Sequence, residues 1–245
     1  MANDIRINVL RFDPSSGQPP RYDTFVVPRK SGMVVGEALE YIYEHLDSSL
    51  AFRYECRTRQ CGSCLIQVDG EPRLACKEPL GEREEITLEP LGMLPIVRDL
   101  VTDRTPLLAP LYQIEPFLPD GDAKPKPVDY SSGPRAISVR SMEWVKMAEE
   151  CAECGLCTAV CPAYNSGEYA GPMLFNKLAR LAYHERDRAD RLAEARRMAI
   201  HYCKTCFRCE EICPHELPVR QFSISRLLGN SRSYKAYQVQ LGEEA

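Results

Sequence analysis

Apolar residues in the segments 5–13 (IRINVLRFD) and 21–28 (RYDTFVVP) are rich in β-branched and aromatic types, so both segments read as strands. The intervening SSGQPP has turn composition. In VGEALEYIYEHLD (35–47) the pattern changes, and Val35, Ala38, Leu39, Ile42 and Leu46 recur at helical spacing. Asp69-Gly70 is a hairpin signal inside LIQVDGEPRLAC, and EITLEPL (85–91) reads as another strand. The order predicts a small mixed sheet with one helix packed on it.

The pattern shifts after about residue 105. DGDAKPKPVDYSSGP (120–134) has the Pro, Gly, Ser and Asp content of a linker. Beyond it strand signals vanish, and helices are expected at 139–151, 172–185, 188–201 and 218–228, with Pro172 and Pro218 at two of the starts. The expected organisation is a sheet domain over 1–105, a linker over 106–134 and an all-helical domain over 135–245.

Composition narrows the function. A chain of 245 residues has room for one large or two modest domains with real cores. The net charge of −4 argues against general nucleic-acid affinity. MANDIRINVL lacks a basic region followed by an apolar run, and no apolar run approaches the roughly 20 residues that span a bilayer. The chain is therefore expected to be soluble or peripheral, in a reducing cytoplasm.

All twelve cysteines fall in three blocks, at 56–76, 151–161 and 203–213. In a reducing compartment such clusters read as metal ligands before disulfides. Cys56, Cys61 and Cys64 follow C-x4-C-x2-C, with Cys76 eleven residues later. That is the opening spacing of plant-type [2Fe–2S] sites. A loop around Gly62 and Ser63 lets backbone amides point at anionic sulfur. Arg53, Arg57, Arg59, Arg73 and Lys77 crowd this region and would favour a reduced, more negative centre. A four-cysteine zinc site is the alternative, although zinc sites favour C-x2-C pairs.

Cys151, Cys154, Cys157 and Cys161 form C-x2-C-x2-C-x3-C-P, and Cys203, Cys206, Cys209 and Cys213 repeat it. In two-cluster ferredoxins the fourth cysteine of such a run ligates the other cluster. The crossed sets are then Cys151, Cys154, Cys157 and Cys213 for one [4Fe–4S] cluster, and Cys161, Cys203, Cys206 and Cys209 for the third centre. No GxGxxG, P-loop or nucleophile elbow offers substrate chemistry. His201 and His215 flank the third block and could tune it or relay protons. Three centres on one chain point to single-electron relay.

The order of these blocks resembles the iron–sulfur subunit of succinate dehydrogenase and fumarate reductase. CRTRQCGSCLIQVDGEPRLAC, LPIVRDLVTD, CAECGLCTAVCPAYN, GEYAGPM and CKTCFRCEEICPHELP match that family in order, over nearly the whole chain. The resemblance implies an α+β chain with a β-grasp [2Fe–2S] ferredoxin domain before an α-helical ferredoxin domain. It implies relay between an FAD-containing flavoprotein subunit and a quinone-binding membrane anchor carrying haem b. The chain itself would not span the membrane, and would sit at its cytoplasmic face.

Two departures from the family pattern stand out. Most members have no cysteine at the position of Cys206, and their third centre is [3Fe–4S]. Cys206 predicts a second [4Fe–4S] cluster here; the alternative is [3Fe–4S] with Cys206 unliganded. Many members place a tryptophan just after the second block, whereas this chain reads PAYNSGEY and its single tryptophan is Trp144. Tyr164 and Lys204 are the candidates for the quinone side. A variant complex, with a cysteine-rich subunit of heterodisulfide-reductase type as terminal partner, is the second reading. A zinc-stabilised interaction module is the third.

Overall fold

The structure, a computed structural model, describes residues 4–118, 139–167, 169–184, 187 and 189–229. The predicted linker segment 120–134 lies outside them. The chain divides into two units. One holds the residues up to Ala109 together with Ala152–Val160, and the other holds Pro110–Cys151 and the residues from Cys161 onward.

The first unit is built on a five-stranded sheet in the order β2-β1-β5-β3-β4. Strand β1 (Asp4–Arg11) pairs antiparallel with β2 (Arg21–Pro28) and parallel with β5 (Glu85–Glu89). A two-residue turn joins β3 (Leu65–Val68) to β4 (Glu71–Leu74). Asp69 and Gly70 both take positive φ, 50° and 81°, the geometry that matches the twist of the flanking strands. Alternation along β1 sends Ile5, Ile7 and Val9 inward, where they join Ile86 and Leu88. Helix α1 (Val35–His45) adds Val35, Ala38, Leu39 and Ile42 to this core. Each large side chain so buried contributes about 1.5–3 kcal/mol. Strand order, pairing and the long helix α1 make this a β-grasp unit.

Leu46 departs from the expected helical stripe. The helix ends at His45, and Leu46 is its C-cap with 47% exposure. Arg11 ends β1 buried among three carboxylates, Asp23 at 3.2 Å, Asp47 at 2.5 Å and Asp99 at 3.3 Å. Asp99 also accepts the backbone N–H groups of Phe12 and Ala51, so this network ties the sheet to a ribbon of β6 (Ile96–Arg98) and β7 (Val101–Thr102). The ribbon and the short helix α2 (Thr105–Leu108) carry no periodic pattern, and sequence reasoning left them unassigned.

The second unit contains no strand among its described residues. Helices α3 (Val139–Glu149), α5 (Pro172–Ala182) and α6 (Arg191–Arg197) surround a π-helical stretch, Val219–Ile224, that runs into α8 (Ser225–Leu227). All fall in the predicted helical segments. Pro172 occupies the first turn of α5, where no backbone N–H is required. Met173, Leu174, Phe175, Leu178 and Ala179 are buried along α5. Asn176 knits the layers by donating to Ala148 O at 2.9 Å and accepting from Ser223 Oγ at 2.7 Å. Trp144, the chain's single tryptophan, is half-buried and packs edge-on against Tyr183. The short helices α4 (Leu156–Ala159) and α7 (Arg208–Glu211) lie within the cysteine blocks, α4 as part of the first unit.

Candidate metal centres

Cys56, Cys61, Cys64 and Cys76 all lie in the first unit. The Thr58 and Cys61 N–H groups donate to Cys56 Sγ at 3.4 Å, and Ser63 N–H donates to Cys61 Sγ at 3.5 Å. Cys64 ends the loop at the foot of β3, and Ala75 N–H donates to Cys64 O at 3.0 Å, which holds the hairpin end carrying Cys76 beside it. As free thiols, Cys56 and Cys64 have very different proton affinities. Burial pushes Cys56 up, but N–H donors from Thr58, Cys61 and Gln60 outweigh it and bring Cys56 to about 6. Burial dominates at Cys64 and, with the neighbouring Cys76 and Cys61 sulfurs, pushes it up to about 12. Loading a metal centre requires all four as thiolates, so it releases protons.

Two of the basic residues expected to serve this loop are engaged elsewhere. Arg57 pairs with Glu40 and lies over the Tyr54 ring at 4.8 Å, and Arg73 faces Glu78 at 3.5 Å. Arg104, which sequence reasoning missed, is the cation built into the site. It donates to Cys61 O at 3.2 Å, Glu153 O at 3.3 Å and Cys154 O at 3.2 Å. Gly62 makes that approach possible, since a Cβ there would stand 2.4 Å from the Cys154 Cα. Cys154 and Cys157 belong to the segment that packs within the first unit, whereas Cys151 and Cys213 belong to the second.

Cys161, Cys203, Cys206 and Cys209 line one cavity in the second unit, although Cys161 comes from the earlier block. Cys213 is not among the lining residues. Burial pushes the Cys161 thiol up, opposed by the N–H groups of Tyr164 and Ala163, with Cys206 and Cys203 adding to the rise. Burial, then Glu210 and the three other cysteines of the set, pushes Cys209 up to about 12. Cys206 is exposed and marks the open side. Lys204 lines the cavity, as do Pro162 and Ala163; Tyr164 contributes its backbone N–H to Cys161.

Two features fit these sites to bound anionic sulfur centres. Backbone turns with positive φ recur in every cysteine loop, at Arg57, Arg59 and Gly62, at Glu153 and Gly155, and at Thr205 and Phe207. Left-handed residues within such turns aim successive N–H groups into a concavity, a common device at iron–sulfur sites. The cavity of the third set is also lined by Tyr169 and Arg220, whose hydroxyl and Nε are buried without a well-formed hydrogen bond among the described residues. Tyr169 stands in the GEYAGPM segment, but nothing in the sequence signalled that its hydroxyl would face the cysteines.

Comparison with known proteins matches two regions of the chain to cluster-binding families. Residues 6–109 match the 2Fe-2S iron-sulfur cluster binding domain, and residues 147–217 match the 4Fe-4S dicluster domain. The chain is 33% identical to a subunit of the fumarate reductase (CoM/CoB) of Methanothermobacter marburgensis, over 91% of this chain and 43% of that protein. It spans less than half the length of the methanogen relatives it matches. It is 32% identical to the fumarate reductase iron-sulfur subunit of Haemophilus influenzae, over 87% of this chain and 89% of that one. A chain of the Mycobacterium smegmatis Sdh1 complex in the apo form superposes with a TM-score of 0.82 at 27% identity, covering 96% of this chain and 98% of that one. Among the described residues no helix is long and apolar enough to cross a membrane. With both cluster-binding domains present in order, and relatives matched along nearly their whole length, the chain belongs to the family of fumarate reductase and succinate dehydrogenase iron–sulfur subunits.

Proposed function

We propose that this chain relays single electrons between an FAD-containing flavoprotein subunit, where succinate and fumarate interconvert, and a quinone-binding membrane anchor carrying haem b. The assembly would sit peripherally at the cytoplasmic face of the membrane. Iron–sulfur clusters, when bound, supply one-electron oxidation and reduction. The chain's part is to bind, space and shield them. In this reading Cys56, Cys61, Cys64 and Cys76 hold [2Fe–2S] in a domain over 1–105. Past a linker over 106–134, the domain over 135–245 carries the rest. Cys151, Cys154, Cys157 and Cys213 hold [4Fe–4S], and Cys161, Cys203, Cys206 and Cys209 hold a second [4Fe–4S]. Lys204 and Tyr164 lie on the quinone side.

The observation that carries the reading is the third cysteine set. It is gathered from two blocks around one cavity, with Cys209 buried and Cys206 exposed. Such a site keeps solvent from most of its contents while leaving one edge where a partner can exchange electrons. The test is to purify the chain anaerobically with its partner subunits and assay succinate with a quinone analogue and fumarate with a reduced quinol. Turnover in either direction, lost on Cys209→Ser, supports the reading; purification without a flavoprotein overturns it. Electron paramagnetic resonance of the oxidised complex decides the Cys206 assignment. No [3Fe–4S] signal is expected until Cys206→Ser is introduced, and a full-occupancy signal in the native chain sinks it.

One observation favours a second reading. A relative similar over most of this chain is named for CoM and CoB, and is more than twice the length of the matched region. In that reading the terminal partner is a cysteine-rich subunit of heterodisulfide-reductase type. Fumarate reduction driven by a thiol pair, with no response to quinol, distinguishes it.

A further inference from the structure

We propose that the Tyr169 hydroxyl donates a hydrogen bond to the sulfur shell of the centre held by Cys161, Cys203, Cys206 and Cys209, and thereby raises the reduction potential of that centre alone. Tyr169 is 3% exposed, and among the described residues its hydroxyl makes no well-formed hydrogen bond. Buried hydroxyls are almost always paired, so one without a well-formed bond that faces a cavity calls for an acceptor inside it. The ring cannot swing outward to find one. It packs on Phe175 with centroids 5.0 Å apart, and Phe175 is itself fully buried.

The residues around the cavity limit what that acceptor can be. Besides Tyr169 itself, the lining side chains are cysteine, proline, alanine, lysine, phenylalanine, arginine and isoleucine. Of these only the cysteine sulfurs accept hydrogen bonds. The Cys203 sulfur is the acceptor nearest this role; its bond from the Tyr169 hydroxyl is present but not well formed among the described residues. A second buried donor points to the same need. Arg220 donates through Nη1 to Ser225 Oγ at 2.5 Å, while its Nε has no hydrogen-bond partner among the described residues, and Arg220 lines the same cavity. Two such donors and a single class of acceptor describe a shell built for sulfur that carries negative charge.

The direction of the effect follows from charge. Reduction adds an electron, and a donor stabilises the more negative state more strongly. The proposal rests on the assignment of these four cysteines to one centre. The test is a redox titration of the anaerobic complex, followed by electron paramagnetic resonance, for the native chain and Tyr169→Phe. The variant keeps the ring and its packing. Its reduction equilibrium at the third centre is expected to shift about tenfold toward the oxidised state, equal to about 59 mV for a one-electron couple. The other two centres should not move.

An unchanged third potential in Tyr169→Phe overturns the proposal. A second measurement on the native chain keeps the question open to decision if the variant assembles poorly. A proton coupled to the third centre should exchange in deuterated buffer and be absent in Tyr169→Phe, and lack of any such proton in the native chain also overturns it. Cys209→Ala, which leaves no donor atom at that corner, tests the underlying ligand set separately. Survival of the third centre's signal there overturns the assignment itself, whatever Tyr169→Phe does.

Discussion

The two matched cysteine blocks share one backbone and differ in what surrounds it. In the block from Cys151, Glu153 (φ 51°) and Gly155 (φ 85°) are left-handed; in the block from Cys203, Thr205 (φ 54°) and Phe207 (φ 61°) take the same places. A one-turn helix follows each, α4 and α7. Around the first, protein closes in. A Cβ on Gly155 would stand 2.1 Å from a Leu107 methyl, and Leu156, Thr158 and Ala159 are buried. Around the second the chain is open, with Cys206 exposed and Phe207 40% exposed. The turn is what both sites require; the residue at its left-handed position records how much room the surroundings leave.

Exchanging those residues tests this directly. Gly155→Phe should be the most damaging change, because it adds left-handed strain to a collision with Leu107. A loss of about 4 kcal/mol or more is expected in chemical denaturation of the full chain. A loss below about 1 kcal/mol would break the claim that this block is walled in.

Arg104→Leu comes next. It removes hydrogen bonds from one guanidinium to Cys61 O, Glu153 O and Cys154 O, support that belongs to the walled block. At about 1 kcal/mol net for each bond, a loss of about 2–3 kcal/mol is expected in the same assay. A neutral outcome would mean that the turn at Glu153 holds without its cation.

The reciprocal change, Phe207→Gly, should do least. It relieves left-handed strain of about 1 kcal/mol but adds a similar cost in unfolded-chain freedom. The denaturation midpoint should hardly move. A loss above about 1 kcal/mol would show that the Phe207 ring makes contacts that stabilise the open block.

The contrast also explains what the sequence disclosed. The β-grasp sheet was legible because β1, β2 and β5 use β-branched residues and Asp69-Gly70 can only turn one way. The helices were legible because Pro172 and Pro218 punctuate them. The cysteine blocks were legible as repeats because ligand spacing is a local property. Arg104, Tyr169 and Arg220 were not legible. Arg104 acts through Glu153 and Tyr169 lines a cavity with Cys203, contacts far along the chain, and Arg220 reaches that cavity from outside any cysteine block. The β6–β7 ribbon was missed because strands of three and two residues are too short to show a period.

The exposed position of Cys206 bears on how a preparation of this protein ages. Of the four thiols around the third cavity it is the one an oxidant in solution meets first. A sulfur there, once off its iron, climbs from sulfenic to sulfinic acid, and the second step is not readily reversed. Air is therefore expected to erode this corner before the buried Cys209. The iron count at this corner then dates the sample as much as it describes the sequence, and material kept under nitrogen from lysis onward is where the native ligand set is to be read.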